Sequence, residues 1–316
     1  MMSKKGKMDA IGQIAGRLTS LAALVQAAPP SATLRDAYAA LRLEEIAGSS
    51  RLAGARLDLT EVRALVDRGR ALGGHRFDDY LIVRDYANAA AWAAQQAAKR
   101  APVSTEDLRT LHRLAVVGIS DDAGAWRTKT VPPLADGTVP PPHWLVPFQT
   151  ETYVGRLALG ANDPAPLALA VAIARLVRLQ PFPSGNGRVA RLVANLLAYR
   201  RGLPPIVLDW RARRAYGAAL RAALAGDAVP LAGVVGTALA RSLERLRDAV
   251  EPAEELRPLA DFATKGRPDG LYKAAQRGRL RVVRRDGRLY TTAPWVAAYA
   301  SRPSSPTPWP PKSRGT

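Results

Sequence analysis

The sequence predicts a mainly α-helical protein followed by a small α/β module, and three observations carry that prediction. Hydrophobic residues make up 47% of the 316 residues with only 6% aromatics, a composition dominated by alanine and leucine that favours closely packed helices over a sheet-rich fold. Apolar residues recur at helical spacing through most of the first 250 positions. Beyond Pro252 and the acidic "EPAEE" the pattern shortens, and two alternating runs flank Asp286-Gly287.

The elements follow in order. Residues 1–30 form a basic tail and one apolar helix that stops at Pro29-Pro30. From Ser31, with Ser31 or Thr33 as cap, a second helix runs through "LRDAYAALRLEEIAGSSRLAGARLDLTEVRALV", with Gly48 and Gly54 expected to interrupt it. Thr60 and Glu61 start a third. "FDDYLIVRDYANAAAWAAQQAAKR" reads as a long alanine-rich helix, and Ser104-Thr105-Glu106 caps "EDLRTLHRLAVVG". Residues 118–148 break the rhythm with glycine, aspartate and proline, and "TKTV" and "GTV" around Asp136-Gly137 predict a short hairpin. Helical spacing resumes at Thr150 and continues through "PLALAVAIARLVRLQ", apolar nearly all round and expected to be the buried central helix. "VARLVANLLAYRRG" is a helix ended by Gly202 and Pro204. "RARRAYGAALRAALAG" and "PLAGVVGTALARSLERLRDAVE" complete the first domain. In the module, "PLADFAT" and "LYKAAQRGR" predict helices, "LRVVRRDGRLYTT" a pair of strands and "PWVAAYA" a last helix. Residues 301–316 are rich in proline and serine and are expected to be disordered.

Composition excludes some chemistry. The chain has no cysteine, so no disulfide, thiolate metal cage or cysteine nucleophile is available. No apolar run reaches the roughly 18 residues of a membrane span, and the first residues lack the h-region of a secretory signal. The expected address is the cytoplasm, with no membrane partner. The formal net charge is +19, which suits an anionic partner. Over half of it lies in residues 256–316, with 13 Lys and Arg against 3 Asp and Glu. Two readings stay open: a solvated arginine-rich surface, or a nucleic-acid contact.

The stretch with most chemistry is "LQPFPSGNGRVAR", Leu179 to Arg191. A glycine turn opening a helix leaves the backbone N–H groups of Gly185, Asn186 and Gly187 as an anion nest at the positive end of the helix dipole. Arg188 and Arg191 lie a turn apart on one face, within reach of a di- or triphosphate.

"PF" followed by "GNGRxxR" resembles the active-site motif of the Fic family, His-Pro-Phe-x-Asp/Glu-Gly-Asn-Gly-Arg-x-x-Arg. The similarity extends through the flanking helices, to "EEIAGSSRLAGARLDLTEV" upstream and "AYGAALRAALAGDAVPL" downstream, so that residues 31–250 are expected to form a Fic-type helical core with a short β-hairpin flap. The resemblance implies binding of ATP or a related nucleotide and transfer of AMP to a hydroxyl of a target protein. In the family the motif histidine is the general base and the carboxylate holds Mg²⁺. Here Gln180 stands at the histidine position and Ser184 at the carboxylate position. An amide cannot take a proton near neutral pH, and a hydroxyl attracts Mg²⁺ weakly, so the site is expected to bind and to activate poorly. The family's inhibitory glutamate, which pairs with the second motif arginine, is replaced by Ala53, so Arg191 is expected to be free. His143, in the flap-like "PPPHWLVP", is the nearest substitute base; His112 reads as structural, and His75, beside Gly73-Gly74, as part of an exposed turn. The flap also resembles the hairpin on which family members register a target segment as an added strand, so a protein partner and a surface hairpin without one are both open.

Residues 256–300 resemble winged-helix modules of the MerR and excisionase type. That resemblance implies DNA contacts from Lys273 on the recognition helix and from Arg277, Arg279, Arg284, Arg285 and Arg288 around the wing, while a docking module of the same fold stays open. The competing reading of the whole chain is thus a non-catalytic nucleotide sensor that binds DNA.

Overall fold

The computed structural model describes residues 4–99, 101–134, 136–159, 162–250, 256–262, 269–277, 279–285 and 287–300. The expected disordered tail, the acidic "EPAEE" and most of the turn "KGRPDG" lie outside the described residues. By its contacts the chain divides into two compact units, Met1–Arg247 and Asp248–Thr316. Among the described residues no helix is long and apolar enough to cross a membrane.

The first unit is helical throughout: α1 (Lys4–Gln26), α2 (Ala32–Leu52), α3 (Leu59–Arg68), α4 (Phe77–Ala98), α5 (Thr105–Val116), α6 (Val146–Leu159), α7 (Ala165–Leu179), α8 (Asn186–Arg200), α9 (Arg213–Leu224) and α10 (Val229–Ala249). Its caps are the short polar side chains the sequence offers. Ser31 accepts from the Leu34 N–H, Asp58 forms a reciprocal capping box with Glu61, and Ser104 does the same with Asp107. Each box satisfies two end donors and contributes about 1 kcal/mol. Thr60 is therefore inside α3 rather than its start.

Three other expectations change. Gly48 does not interrupt α2; it lets the helix lie against the loop before α9, where an added Cβ would overlap the Leu208 carbonyl oxygen. Helical structure after the proline cluster begins at a 3-10 turn, His143–Leu145, and passes directly into α6, several residues before Thr150. The central helix is α8, packed against α4, α5 and α7, rather than α7. Its sequence concealed this because Asn186, Arg188, Arg191 and Asn195 are buried in it, which dilutes its apolar character.

The flap segment forms the tip of the expected hairpin. Gly137, at φ 83°, donates to the Leu134 carbonyl at 2.8 Å, and the Leu134 N–H donates to the Thr138 carbonyl at 2.8 Å. Such a closure with a left-handed glycine is a usual three-residue hairpin connection. Among the described residues its arms carry no ladder beyond that pair.

The second unit contains β1 (Arg257–Pro258), α11 (Asp269–Gln276), β2 (Val283–Arg285), β3 (Arg288–Thr291) and α12 (Ala293–Ala300). Its antiparallel sheet has the order β1-β3-β2, with Arg285 opposite Arg288 across the turn at Gly287. The strand pair and α12 lie where the sequence puts them. The expected helix "PLADFAT" instead supplies β1 and a 3-10 turn, Leu259–Phe262, and Leu259 is buried with Ala274 and Leu280 in the small core. Proline at the end of a two-residue edge strand lacks only a donor that an edge does not need.

Candidate functional site

The turn between α7 and α8 is built by side chains that bond to its own backbone. Gln180 caps α7 in the left-handed region, φ 43° and ψ 60°, the one non-glycine residue at positive φ among the described residues. That conformation costs about 1 kcal/mol for a residue with a Cβ and is held by three bonds. The Gln180 N–H donates to Leu176 O at 3.1 Å, its Nε2 donates to Val177 O at 2.8 Å, and its Oε1 accepts from Asn186 Nδ2 at 2.9 Å. Asn186 closes the loop in turn: its Oδ1 accepts from the Phe182 N–H at 3.0 Å and its Nδ2 also donates to Phe182 O at 2.9 Å. Gln180 therefore holds the turn with both ends of its amide.

Gly185, at φ 70°, opens α8. A Cβ there would come within 2.8 Å of Val116 Cγ1 and 3.4 Å of Arg188 Nη2, and one on Gly187 within 3.4 Å of Arg191 Nη1. At Gly185 the positive φ and the approach of Val116 both call for glycine, whereas at Gly187 the contact is an ordinary one. The N–H groups of Gly185, Asn186 and Gly187 carry no acceptor among the described residues. With the α8 dipole behind them, they form an anion-attracting end.

Arg188 and Arg191 are both buried, with 8% and 7% of their surface exposed, so they diverge into the core rather than projecting together. Arg188 Nη1 donates to Ala115 O on α5 at 2.8 Å. Burial, then the neighbouring charge of Arg191, draws the Arg188 guanidinium below its usual range, while Asp85 opposes them. Arg191 reaches α2, where Nε donates to Ser49 Oγ at 2.5 Å and Nη2 to Ser49 O at 2.9 Å. It is thus not free, although its partner is neutral. Ala53 stands one turn beyond Ser49, at the end of α2, and offers no carboxylate.

One turn before Ser49 on the same face lies Glu45, buried and bonded to Tyr86 Oη at 2.5 Å and Asn195 Nδ2 at 2.8 Å. Burial pushes its carboxyl up to about 7, against the Tyr86 hydrogen bond and the charge of Arg191. The sequence reading missed Glu45. Its signal was the i, i+4 spacing of Glu45, Ser49 and Ala53, which aligns an acid with the face that meets the motif helix. The same reading missed Arg127, 3% exposed. Its Nε donates to Gln180 O at 2.6 Å, its N–H to Pro181 O at 3.0 Å, and its Nη2 to Pro141 O. Arg127 ties the flap segment to the motif turn. One arginine inside a run of glycine, tryptophan and threonine gave no warning of this.

The histidines are placed as follows. His112 is fully buried, its ring stacked on Phe182 at 3.9 Å, with Trp126 on Phe182 in turn. Its Nδ1 accepts from the Gly124 N–H at 2.9 Å, which leaves Nε2 as the donor to Ser184 O at 3.2 Å. Burial lowers it to about 4, so it is neutral at neutral pH and has no nitrogen to spare for a substrate. His75 bonds Glu61 at 2.9 Å. His143 packs edge-on against Trp144, and no described contact joins its ring to the Gln180 turn. Ser184 is exposed, and only its carbonyl is bonded. Among the described residues no group of three or more His, Asp or Glu could hold a metal ion. The donors at the turn suit anionic oxygens and do not suit a Mg²⁺ ion held by protein carboxylates.

In the second unit Lys273 lies on α11, Arg284 and Arg285 on β2 and Arg288 on β3. The side chains of Lys273, Arg277, Arg279, Arg284 and Arg288 are exposed.

Comparison with known proteins gives the site a context. The chain is 29% identical to protein adenylyltransferase fic-1 of Caenorhabditis elegans over 210 residues, which cover 64% of this chain and 40% of that protein. It is 26% identical to protein adenylyltransferase Fic of Drosophila erecta, over 68% of this chain and 43% of that protein. It thus spans about two fifths of the length of these curated relatives. Two solved structures share the fold: Fic-1 from C. elegans, with TM-score 0.70, 24% identity and coverage of 76% of this chain and 72% of that one, and a Fic-domain signaling protein from Bacteroides thetaiotaomicron, with TM-score 0.66, 24% identity and coverage of 78% and 98%. Residues 102–198, from the start of α5 through the flap and α7 to the end of α8, match the family model of the Fic/DOC family. Over residues 102–198 this chain thus resembles the Fic/DOC family domain.

Proposed function

We propose that the turn at residues 184–191 binds the phosphates of ATP or a related nucleotide, on a Fic-type adenylyltransferase scaffold whose transfer of AMP to protein hydroxyls is weak or absent. The observation that carries this is the state of Gln180. Its amide oxygen and nitrogen each hold a bond of the turn, so at the position of the family's base stands an amide that cannot take a proton near neutral pH and that serves the turn instead. Loss of a positioned general base costs about 10² to 10⁴ in rate. The binding half keeps its backbone donors by contrast: three N–H groups at a helix N-terminus, with the buried guanidiniums of Arg188 and Arg191 packed close behind the glycines.

Mg²⁺ would have to arrive with the nucleotide, since Ser184 supplies no charge. The chain's own residues would then orient the phosphates, exclude water through Phe182 and Trp126, and leave the target hydroxyl unactivated. Equilibrium binding of ATP to the whole chain tests the reading. Arg188→Lys keeps charge and bulk but not the forked donor geometry, and is expected to weaken binding about tenfold with the fold retained by circular dichroism. No measurable binding by the parent, or equal binding by the variant, would end the proposal.

The second unit favours an additional role. A basic strand pair beside a short helix, with Arg284 and Arg288 exposed, supports the winged-helix reading and DNA as a partner. Affinity for duplex DNA that falls steeply with salt, and falls further in Lys273→Glu/Arg284→Glu, is the expected result; salt-insensitive or absent binding would remove this reading.

A further inference from the structure

We propose that the cleft between α6 and α7, beside the flap, docks an acidic segment of a protein partner. The cleft is a cavity of about 270 Å³ whose lining includes Arg156 on α6 and Arg175 and Arg178 on α7, with Val139, Pro141 and Leu179 as its apolar walls. No carboxylate lines it. Among the described residues none of the three arginines forms an ion pair within 4 Å, whereas others such as Arg245 with Glu44 and Arg84 with Asp85 do. Two acids lie near without lining it: Asp136 at the flap tip, whose carboxyl is held low first by the Thr138 hydroxyl and, as a smaller effect, by the charge of Arg178, and Asp163, which lines an adjoining cavity with Arg156 and Arg175. Three like charges on facing helices repel one another, and the arrangement gains most from a ligand that brings several negative charges at once.

The position of the cleft relates it to the motif turn. Arg178 lies two residues before Gln180, and Pro141, in the cleft wall, accepts through its carbonyl from Arg127, which also bonds the Gln180 carbonyl. A segment seated here therefore lies along the flap with one end at the turn. Its nature follows from the walls. Tyr153, the aromatic residue of the lining, is 4% exposed with its hydroxyl bonded to Ala172 O, so the cleft has no stacking face for a base, on which single-stranded nucleic acid depends. The flap arms leave their backbone groups outside any ladder, as a peptide paired as an added strand requires. Val139, in the cleft wall, is 70% exposed, an apolar edge suited to an apolar side chain flanked by acids. This inference rests on the reading of the flap face as the one that meets a protein target, and it names the class of that target.

The test is fluorescence anisotropy of a labelled Glu-rich peptide carrying a central leucine, mixed with the whole chain without nucleotide. The expected result is salt-sensitive binding, absent for the same peptide with Gln in place of Glu, and weakened about tenfold or more in Arg156→Glu/Arg175→Glu/Arg178→Glu. The neutral set Arg175→Gln/Arg178→Gln should weaken it less, and Arg284→Glu/Arg288→Glu in the second unit should leave it unchanged. Equal binding by the triple variant or by the Gln peptide overturns the proposal. So does tighter, variant-sensitive binding of a labelled oligo-dT, which would make the cleft a nucleic-acid site. Because no nucleotide or transfer enters the measurement, its failure leaves the phosphate site standing, and failure of ATP binding leaves the docking result readable.

Discussion

The motif turn at residues 180–191 and the flap at residues 128–142 lie next to each other and are built by opposite rules. In the turn every polar side chain described, Ser184 excepted, bonds a neighbour, and Asn186, Arg188 and Arg191 are buried. In the flap one hairpin tip closes, Arg127 anchors its base, and Val139 stays 70% exposed. The first region spends its polar groups on its own backbone and core; the second leaves backbone and apolar groups for something else to meet. Rigid binding geometry without a base, beside an unpaired partner surface, is what a scaffold that holds nucleotide and partner without efficient transfer requires.

The largest expected effects come from breaking the turn. Asn186→Ala removes three bonds from a buried side chain and leaves the Phe182 N–H and the Gln180 amide oxygen unsatisfied; a loss of about 3 kcal/mol is expected in denaturant unfolding.

Next is acid. His112 sits at about 4 in the fold against an ordinary 6.5, so the stability it confers is present above pH 6.5 and lost as pH falls towards 4, by about 3 kcal/mol. Glu45 has the opposite sign, at about 7 against an ordinary 4.5. Its contribution is full below pH 4.5 and lost as pH rises through 7. Unfolding curves of His112→Gln should flatten against the parent on the acid side, and those of Glu45→Gln between pH 4.5 and 7; the reverse assignment would refute both.

A smaller loss, about 1 to 3 kcal/mol, is expected for Gly48→Ala, whose methyl meets the Leu208 carbonyl and must displace α2, with Ser49 and Arg191 behind it. It should also weaken ATP binding, which separates a coupled α2 from a merely crowded one. Smallest of all, Val139→Ser/Trp144→Ser should change stability by less than about 0.5 kcal/mol, because neither side chain is buried. A large loss there would erase the contrast between the two regions.

Much of this was legible in advance, and the exceptions have physical causes. Ser31 and Ser104 could be read as caps because their side chains act on backbone three residues away. The Gly185 turn could be read because only glycine suits its φ of 70°. The continuity of α2 through Gly48 could not, since the reason lies in Leu208, distant in sequence. Nor could the grip of Ser49 on Arg191, which satisfies the arginine without the carboxylate whose absence at Ala53 had suggested it would be free. Arg127 and Glu45 act through tertiary partners, and local patterning carries little trace of such groups. The strand β1 was hidden because two residues are too few to show a period.

The central claim is that Gln180 separates binding from transfer. It is tested most directly by incorporation of α-labelled ATP into protein, with the parent and Gln180→His compared side by side in Mg²⁺ at equal nucleotide occupancy. The account predicts label at background for the parent and a gain of about 10²-fold or more for Gln180→His, the range a restored general base supplies. Transfer by the parent at a rate that Gln180→His does not raise would contradict it, and would assign the proton to another group, His143 first.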